Sequence, residues 1–201
     1  MKLYYAPGAC SLATHIVLRE TDATFELEKI DTQRHLTADG GDFFAINSKG
    51  QVPLLEVAKD VYLSEGPVIA QYLAELAGSH RLLPPVGLPR YRVLEWQNFV
   101  GTELHKAYTP IFSPGLDDAA KAILRGRLRK KYEWLEAQLP AQGYLTGDEF
   151  TVADAYLFTV TQWATYVTLD LDDLPRLHAY LGRVAARPAV QAALKAEGLL
   201  R

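Results

Sequence analysis

The spacing of hydrophobic and polar positions changes near residue 80 of the chain. Before it, apolar runs of strand length alternate with helical periodicity. Residues 2–5 and 25–30 have the pattern of strands, and residues 11–20 between them place Leu12 and Ile16 on one side of a helix. This order predicts a βαβ unit at the start of the chain.

The next apolar runs predict a hairpin and a second helix. Residues 31–47 are polar and predict a loop with at most a short helix inside it. Two apolar runs, 52–57 and 61–63, flank a polar turn and predict two antiparallel strands. Gly66 and Pro67 then predict a helix start, with Gly66 as the cap and Pro67 at the first helical position, where its missing N–H costs nothing.

Prolines separate this first block from a second one. Residues 81–89 contain three prolines and a glycine, and we expect a linker without helix there. From residue 90 to 201 the apolar periodicity is helical throughout. The predicted fold is therefore an α/β domain of order βαβ-ββα with a mixed sheet over residues 1–80, followed by the linker and an all-α helical domain.

The helical periodicity of the second domain places its helices. They are predicted at residues 90–111, 117–139, 152–167, 175–187 and 188–194. The third opens with Thr151 and Asp154, three residues apart, in an acidic version of the capping box. We expect both residues to stabilise the helix start and not to take part in chemistry.

Composition excludes several classes of function. The chain has 201 residues, of which 49% are hydrophobic and 22% charged, as in ordinary globular proteins. The net charge is −3, and basic and acidic residues are interleaved. The sequence therefore gives no sign of a surface that binds nucleic acid or an anionic membrane. The sequence shows no apolar run near the roughly 20 residues that span a bilayer and no leader pattern, so we expect a cytoplasmic location.

The sequence offers little support for a metal or a resident cofactor. Its one cysteine cannot form an internal disulfide, and no Cys/His spacing fits a structural zinc site. Gly-rich loops of the dinucleotide or P-loop type are absent from the sequence. We expect neither a metal nor a cofactor.

The one cysteine, Cys10, lies where the first strand is expected to meet the first helix. The free N–H groups at a helix N-terminus favour an anion, so a thiolate there is better stabilised than in a free cysteine. A cysteine among Ala, Leu and Gly is equally well explained as a small buried hydrophobic residue. The stretch alone leaves both interpretations open.

Five motifs in matching order resemble the bacterial beta-class glutathione S-transferases. They are the runs YAPGACSL at 5–12, QVP at 51–53, SEG at 64–66, ELHK at 103–106 and FTVADAYL at 150–157. The resemblance spans both domains. It implies a thioredoxin-like first domain that binds glutathione, a helical second domain that shapes the site for an electrophile between the two domains, and a homodimer.

The resemblance also implies which residues bind glutathione. They are Ala9, Cys10, His35, Val52, Pro53, Glu65, Gly66, Asn98, Glu103, His105 and Lys106. Val52, before a cis Pro53, would pair with the backbone of glutathione, while Glu65 would bind its γ-glutamyl ammonium and the N–H of residue 66 the adjoining carboxylate. The chain departs from the family at His35, where many members have lysine, and at Gly66, where some have serine.

Catalysis is expected to use Cys10 and His105. His105 would donate to the glutathione sulfur or accept its proton, and Lys106 would add positive charge. The resemblance implies attack of the glutathione thiolate on a small hydrophobic electrophile. Tyr108, Phe112 and Trp163 are candidate walls for that electrophile, although aromatics at helical spacing are also typical of a core.

Three alternatives remain open from the sequence. Cys10 as a nucleophile fits glutathione-dependent reduction of disulfides, with glutathione as the partner thiol because Cys10 has no second cysteine three residues on. The fold also suits a non-catalytic protein that binds hydrophobic ligands or antibiotics. An interaction protein without a glutathione site is the third alternative, and the set of Cys10, Val52, Glu65 and His105 argues against it.

Overall fold

The computed structural model describes residues 1–200, which divide into two compact units. The first unit contains residues 1–80 together with the chain from Ala186 onwards, and the second contains Arg81–Ala185. Among the described residues, none of the helices has the length and apolar character needed to cross a membrane.

The first unit is built on a mixed five-stranded sheet. Its elements are β1 (Lys2–Tyr5), α1 (Ser11–Glu20), β2 (Glu26–Asp31), β3 (Leu36–Thr37), β4 (Leu54–Ala58), β5 (Val61–Ser64) and α2 (Gly66–Leu76). The strand order is β3-β2-β1-β4-β5, with β1 parallel to β2 and antiparallel to β4. Parallel neighbours need a crossover connection, which α1 supplies, so the predicted βαβ-ββα order is confirmed.

The central strand β1 contributes side chains to the core on both faces of the sheet. Helices α1 and α2 pack against each other, and their fully buried side chains include Ile16 and Ile69. A second cluster contains Tyr4, Ile30 and Leu54 together with Phe43, which lies in the short 3₁₀ segment Phe43–Ala45. The predicted short helix within the polar loop is this segment.

The last helix, α8 (Pro188–Ala196), packs against α1 in the first unit. Just beyond it, the carboxylate of Glu197 lies 2.8 Å from Nδ1 of His15, and neither side chain has exposed surface. Arg187 adds two hydrogen bonds to the Glu20 carboxylate, at 2.7 and 2.8 Å. The predicted helical domain, which ran to residue 201, therefore extends too far, because the end of the chain is tied to α1 by buried polar contacts that helical periodicity does not reveal.

The second unit is helical, as predicted. Its elements are α3 (Gly87–Phe99), a π-helical segment (Val100–His105), α4 (Lys106–Phe112), α5 (Asp118–Gln138), α6 (Val152–Thr161), a 3₁₀ segment (Gln162–Val167) and α7 (Pro175–Ala185). Every residue of α6 is buried, so α6 is the core helix of this unit.

The prediction that residues 81–89 contain no helix is wrong. The expected linker over 81–89 contains the start of α3, because Pro89 lies in the first helical turn, where no N–H is needed. Helix α4 contains Pro110 and ends at Phe112, one residue past the predicted end at residue 111. The residue that caps it, Ser113, has an extended backbone, which is the conformation favoured before a proline, here Pro114.

The predicted capping arrangement at α6 is present. Asp154 accepts hydrogen bonds from the N–H and the hydroxyl of Thr151, each at 2.8 Å, and from the N–H of Leu145 and the hydroxyl of Tyr180. Burial raises the pKa of Asp154, although these four donors act in the opposite direction. The carboxylate thus joins the start of α6 to the preceding loop and to α7.

Candidate active site

Cys10 lies at the N-cap position of α1, after a turn in which Gly8 has a φ of +70°. The hydroxyl of Ser11 donates to the carbonyl of Ala6 and accepts from its N–H, both at 3.2 Å, which closes the turn. The thiol of Cys10 is partly exposed and donates to the carbonyl oxygen of Val52 at 3.1 Å. Cys10 and Val52 are therefore neighbours at the beginnings of α1 and β4.

The Val52–Pro53 peptide bond is cis, as the resemblance implied. Ala9, the residue before the cysteine, is fixed by its backbone: its N–H donates to Ala6 and its carbonyl accepts from Leu12. The predicted residues of the first unit at positions 9, 10, 52 and 53 thus form one cluster.

Glu65 is the N-cap of α2, one residue earlier than the predicted cap Gly66. Its φ is +69°, a left-handed conformation that costs a non-glycine residue about 1 kcal/mol or more and is often found at functional sites. The side chain is 63% exposed, so the carboxylate faces solvent. The N–H of Gly66 opens the helix, where the macrodipole favours an anion.

Lys49 is a residue that the sequence analysis missed. Its ammonium donates to the Glu65 carboxylate at 2.6 Å and to the hydroxyl of Ser64 at 3.2 Å. The carboxylate proposed for a substrate ammonium therefore already binds a cationic side chain. The only sequence signal for Lys49 was its position two residues before the QVP motif.

His35 is anchored by its own loop. Its Nδ1 lies 3.0 Å from the carbonyl oxygen of Gly50, and its ring packs on Phe44 with centroids 4.3 Å apart. A carbonyl only accepts hydrogen bonds, so Nδ1 carries a proton in this contact. Nε2 of a neutral His35 is then an acceptor, and only the charged ring presents a second donor.

In the second unit, the candidate residues Asn98, Glu103, His105 and Lys106 lie in or beside the π-helical segment Val100–His105. Such segments are rare and frequently occur at functional sites. Asn98, in the last turn of α3, and Glu103 are both exposed. The Glu103 carboxylate pairs with Lys131 at 2.6 Å, and the same ammonium binds the Glu103 carbonyl at 2.9 Å.

His105 ends the π-helical segment and is held by two aromatic side chains. Its Nδ1 lies 2.6 Å from the hydroxyl of Tyr156, and its ring meets Trp163 edge-on with centroids 4.8 Å apart. Burial, aided by the positive charge of Lys106, lowers the pKa of His105 to about 4. The imidazole is therefore uncharged at neutral pH. Tyr156 is a second residue that the sequence analysis did not assign to the site.

The three predicted aromatic walls come together. Tyr108 lies 6.2 Å from Phe112 and 5.6 Å from Trp163, and Phe112 lies 6.2 Å from Trp163, measured between ring centroids. Tyr108 has no exposed surface, and its hydroxyl bonds to that of Tyr132 at 2.9 Å. Phe112, which is 48% exposed, carries most of the open surface of this cluster.

These features define a class of protein: a thioredoxin-like unit whose cysteine bonds to the carbonyl of the residue before a cis-proline, in a chain that continues into an all-helical unit. The family model for the glutathione S-transferase N-terminal domain matches residues 1–75, and the model for the glutathione S-transferase C-terminal domain matches residues 118–183. The chain belongs to the glutathione S-transferase family.

Individual relatives agree with this assignment over the whole chain. The protein is 46% identical over 200 residues to glutathione S-transferase GstA of Escherichia coli O157:H7, covering 99% of this chain and 100% of the relative. A beta-class glutathione S-transferase of Sphingomonas chungbukensis is 42% identical with a TM-score of 0.94, and a sphingomonad glutathione S-transferase complexed with glutathione is 43% identical with a TM-score of 0.93. Both structures cover 100% of each chain. The predicted resemblance to the bacterial beta class is confirmed.

Metal ligands do not gather in the part of the chain that the structure describes. Within residues 1–200, no three or more His, Cys, Asp or Glu side chains are grouped so as to hold a metal ion.

Proposed function

We propose that this protein conjugates the thiolate of glutathione to small hydrophobic electrophiles. The observation that carries the proposal is the contact of Cys10 with the Val52 carbonyl beside cis-Pro53, in a chain whose relatives are named glutathione S-transferases. One solved relative is complexed with glutathione. Glutathione is the co-substrate in this proposal, and no further cofactor is needed.

Glutathione binds through its backbone and its γ-glutamyl group. Its peptide backbone pairs with Val52 as a short added strand. The γ-glutamyl ammonium binds the Glu65 carboxylate, which is already able to hold a cation, as its 2.6 Å contact with Lys49 indicates. The γ-glutamyl carboxylate binds the N–H of Gly66 at the positive end of α2.

The chemical step is a nucleophilic substitution by sulfur. The glutathione thiol loses its proton to solvent, the thiolate attacks the electrophilic carbon, and the leaving group departs with the electron pair of the bond that breaks. Cys10, His105 and the ammonium of Lys106 favour the thiolate, and Phe112 and Trp163 contact the apolar part of the electrophile. Asn98, Glu103 and His35 complete the proposed glutathione contacts.

The family resemblance supports three further proposals. The protein forms a homodimer, it is located in the cytoplasm, and its conjugating activity serves detoxification. Sedimentation or light scattering of the purified chain tests the first of these directly, with a monomer as the result that contradicts it.

The test of the proposed activity is product analysis by mass spectrometry. The protein is incubated with glutathione and an aromatic chloride activated by nitro groups. We expect a glutathione–aryl conjugate with release of chloride at a rate above the uncatalysed one. Tight binding of the aryl compound without conjugate would indicate a ligand-binding protein, and reduction of a glutathione mixed disulfide without conjugate would indicate an oxidoreductase. Either result overturns the proposal.

A further inference from the structure

The hydroxyl of Tyr156 lies 2.6 Å from Nδ1 of His105. Tyr156 belongs to the buried helix α6, and His105 is the last residue of the π-helical segment. The two rings meet edge to face with centroids 5.8 Å apart, and Trp163 meets the same imidazole at 4.8 Å. These contacts fix the orientation of the imidazole from within the second unit.

The direction of this hydrogen bond decides where the ring proton lies, because a phenol hydroxyl can donate or accept. A neutral imidazole has one N–H and one acceptor nitrogen, and the partner of one nitrogen determines the role of the other. Bonds from N–H donors to oxygen usually measure roughly 2.7–3.2 Å, whereas hydroxyl donors form shorter ones. The 2.6 Å separation lies below the usual range for N–H donors and within that for hydroxyl donors, which fits donation by the Tyr156 hydroxyl to Nδ1. With the hydroxyl as donor, a neutral ring carries its proton on Nε2.

We propose that Tyr156 sets the tautomer of His105, so that His105 donates a hydrogen bond from Nε2 to the glutathione sulfur and does not act as its base. This inference rests on the proposed function and deepens it, because it chooses between the two roles that the sequence left open for His105. Tyr156 is a positioning residue in this scheme, since it acts through the histidine.

The charges around His105 agree with a donor role. A carboxylate on Nδ1 would accept the ring proton's hydrogen bond and leave Nε2 as a base, but the partner here is a phenol. The nearest acidic residue along the segment, Glu103, pairs with Lys131 at 2.6 Å. Lys106 carries a positive charge that opposes protonation of the imidazole. A neutral donor next to a cation stabilises a thiolate without taking up a proton, so the thiol proton leaves to water.

The first test measures the tautomer and does not depend on activity. Nitrogen-15 NMR of the labelled protein distinguishes a protonated ring nitrogen from an unprotonated one, and His105→Gln assigns the signals. We expect Nε2–H in the wild type at neutral pH and a mixture of tautomers in Tyr156→Phe. Tyr132→Phe, which removes another buried hydroxyl of this unit, is the control and should keep Nε2–H. Nδ1–H in the wild type, or an unchanged single tautomer in Tyr156→Phe, would overturn the proposal.

The second test asks whether Tyr156 acts through His105. We expect Tyr156→Phe to lower kcat/KM for glutathione about tenfold at neutral pH and to move the pH midpoint of thiolate formation up by about one unit. In a His105→Gln background the same substitution should have no further effect on either quantity. An equal loss in both backgrounds would show a merely structural role. If the wild type formed no conjugate, the proposed function would fail while the NMR result would still decide the tautomer.

Discussion

The thiol of Cys10 lies 3.1 Å from the carbonyl oxygen of Val52, although 42 positions separate the two residues in the chain. The contact joins the N-terminus of α1 to the start of β4. It brings a thiol, a helix N-terminus and a backbone segment able to pair with a peptide into one place. That combination is the physical basis for placing glutathione on the first unit.

The position of Cys10 predicts a covalent adduct with glutathione. Its side chain is partly exposed at a helix N-terminus, so it should react with oxidised glutathione by thiol–disulfide exchange. Intact-mass analysis is expected to show one glutathione added to the wild type and none to Cys10→Ala. An unmodified wild type would make Cys10 a packing residue.

Glu65 is predicted to bind the ammonium of glutathione. Glu65→Gln keeps the size of the side chain but removes its charge, so KM for glutathione should rise about tenfold or more, with a smaller change in kcat. Glu95→Gln provides the control, because Glu95 also forms an exposed ion pair, with Arg92. An unchanged KM in Glu65→Gln would remove this residue from the binding site.

Replacement of Gly66 by alanine or serine is expected to stabilise the folded protein. A Cβ at this position would lie 3.4 Å from Pro53 and 3.9 Å from the hydroxyl of Thr14, which is buried and has no hydrogen-bond partner among the described residues. Gly66→Ala should raise the free energy of unfolding by about 0.5 kcal/mol through the unfolded chain. Gly66→Ser should add about 1 kcal/mol more, because its hydroxyl reaches Thr14. Urea denaturation measures both, and a serine variant no more stable than the alanine variant would contradict the argument.

Protonation of His105 is expected to destabilise the folded protein in acid. Its pKa is about 4 in the folded protein, below the ordinary value of 6.5, so the unfolded chain takes up a proton at a higher pH than the folded one. The free energy of unfolding should therefore fall as the pH drops from about 6.5 to about 4, by roughly 2–3 kcal/mol from this residue. Denaturation of His105→Gln over the same range should show a smaller fall. An identical pH dependence in both proteins would place the folded pKa near its ordinary value.

The fold was predictable from the sequence where the spacing of apolar residues determines the local secondary structure. The strands and helices of the first unit follow from alternating and helical spacing, and the helix from 152 opens at its capping residues Thr151 and Asp154. The strand β3 was missed because two residues carry no periodicity. The final helix was assigned to the wrong unit because its attachment depends on Glu197 and His15, which meet only in the folded chain.

The candidate site was predictable in part for a similar reason. Motifs identified Cys10, Val52 and Glu65, and the structure brings the first two into contact. The π-helical segment has no sequence signature, since an extra residue per turn depends on the packing of neighbouring helices. Lys49 and Tyr156 were missed because their roles arise from single contacts with Glu65 and His105.

The pKa of bound glutathione is the most direct test of whether the protein stabilises the glutathione thiolate. The ultraviolet absorbance of its thiolate, followed against pH in the complex with the protein, gives the pKa of the bound thiol. We expect a midpoint well below the ordinary thiol value of about 8.5. A midpoint equal to that of free glutathione would contradict this expectation.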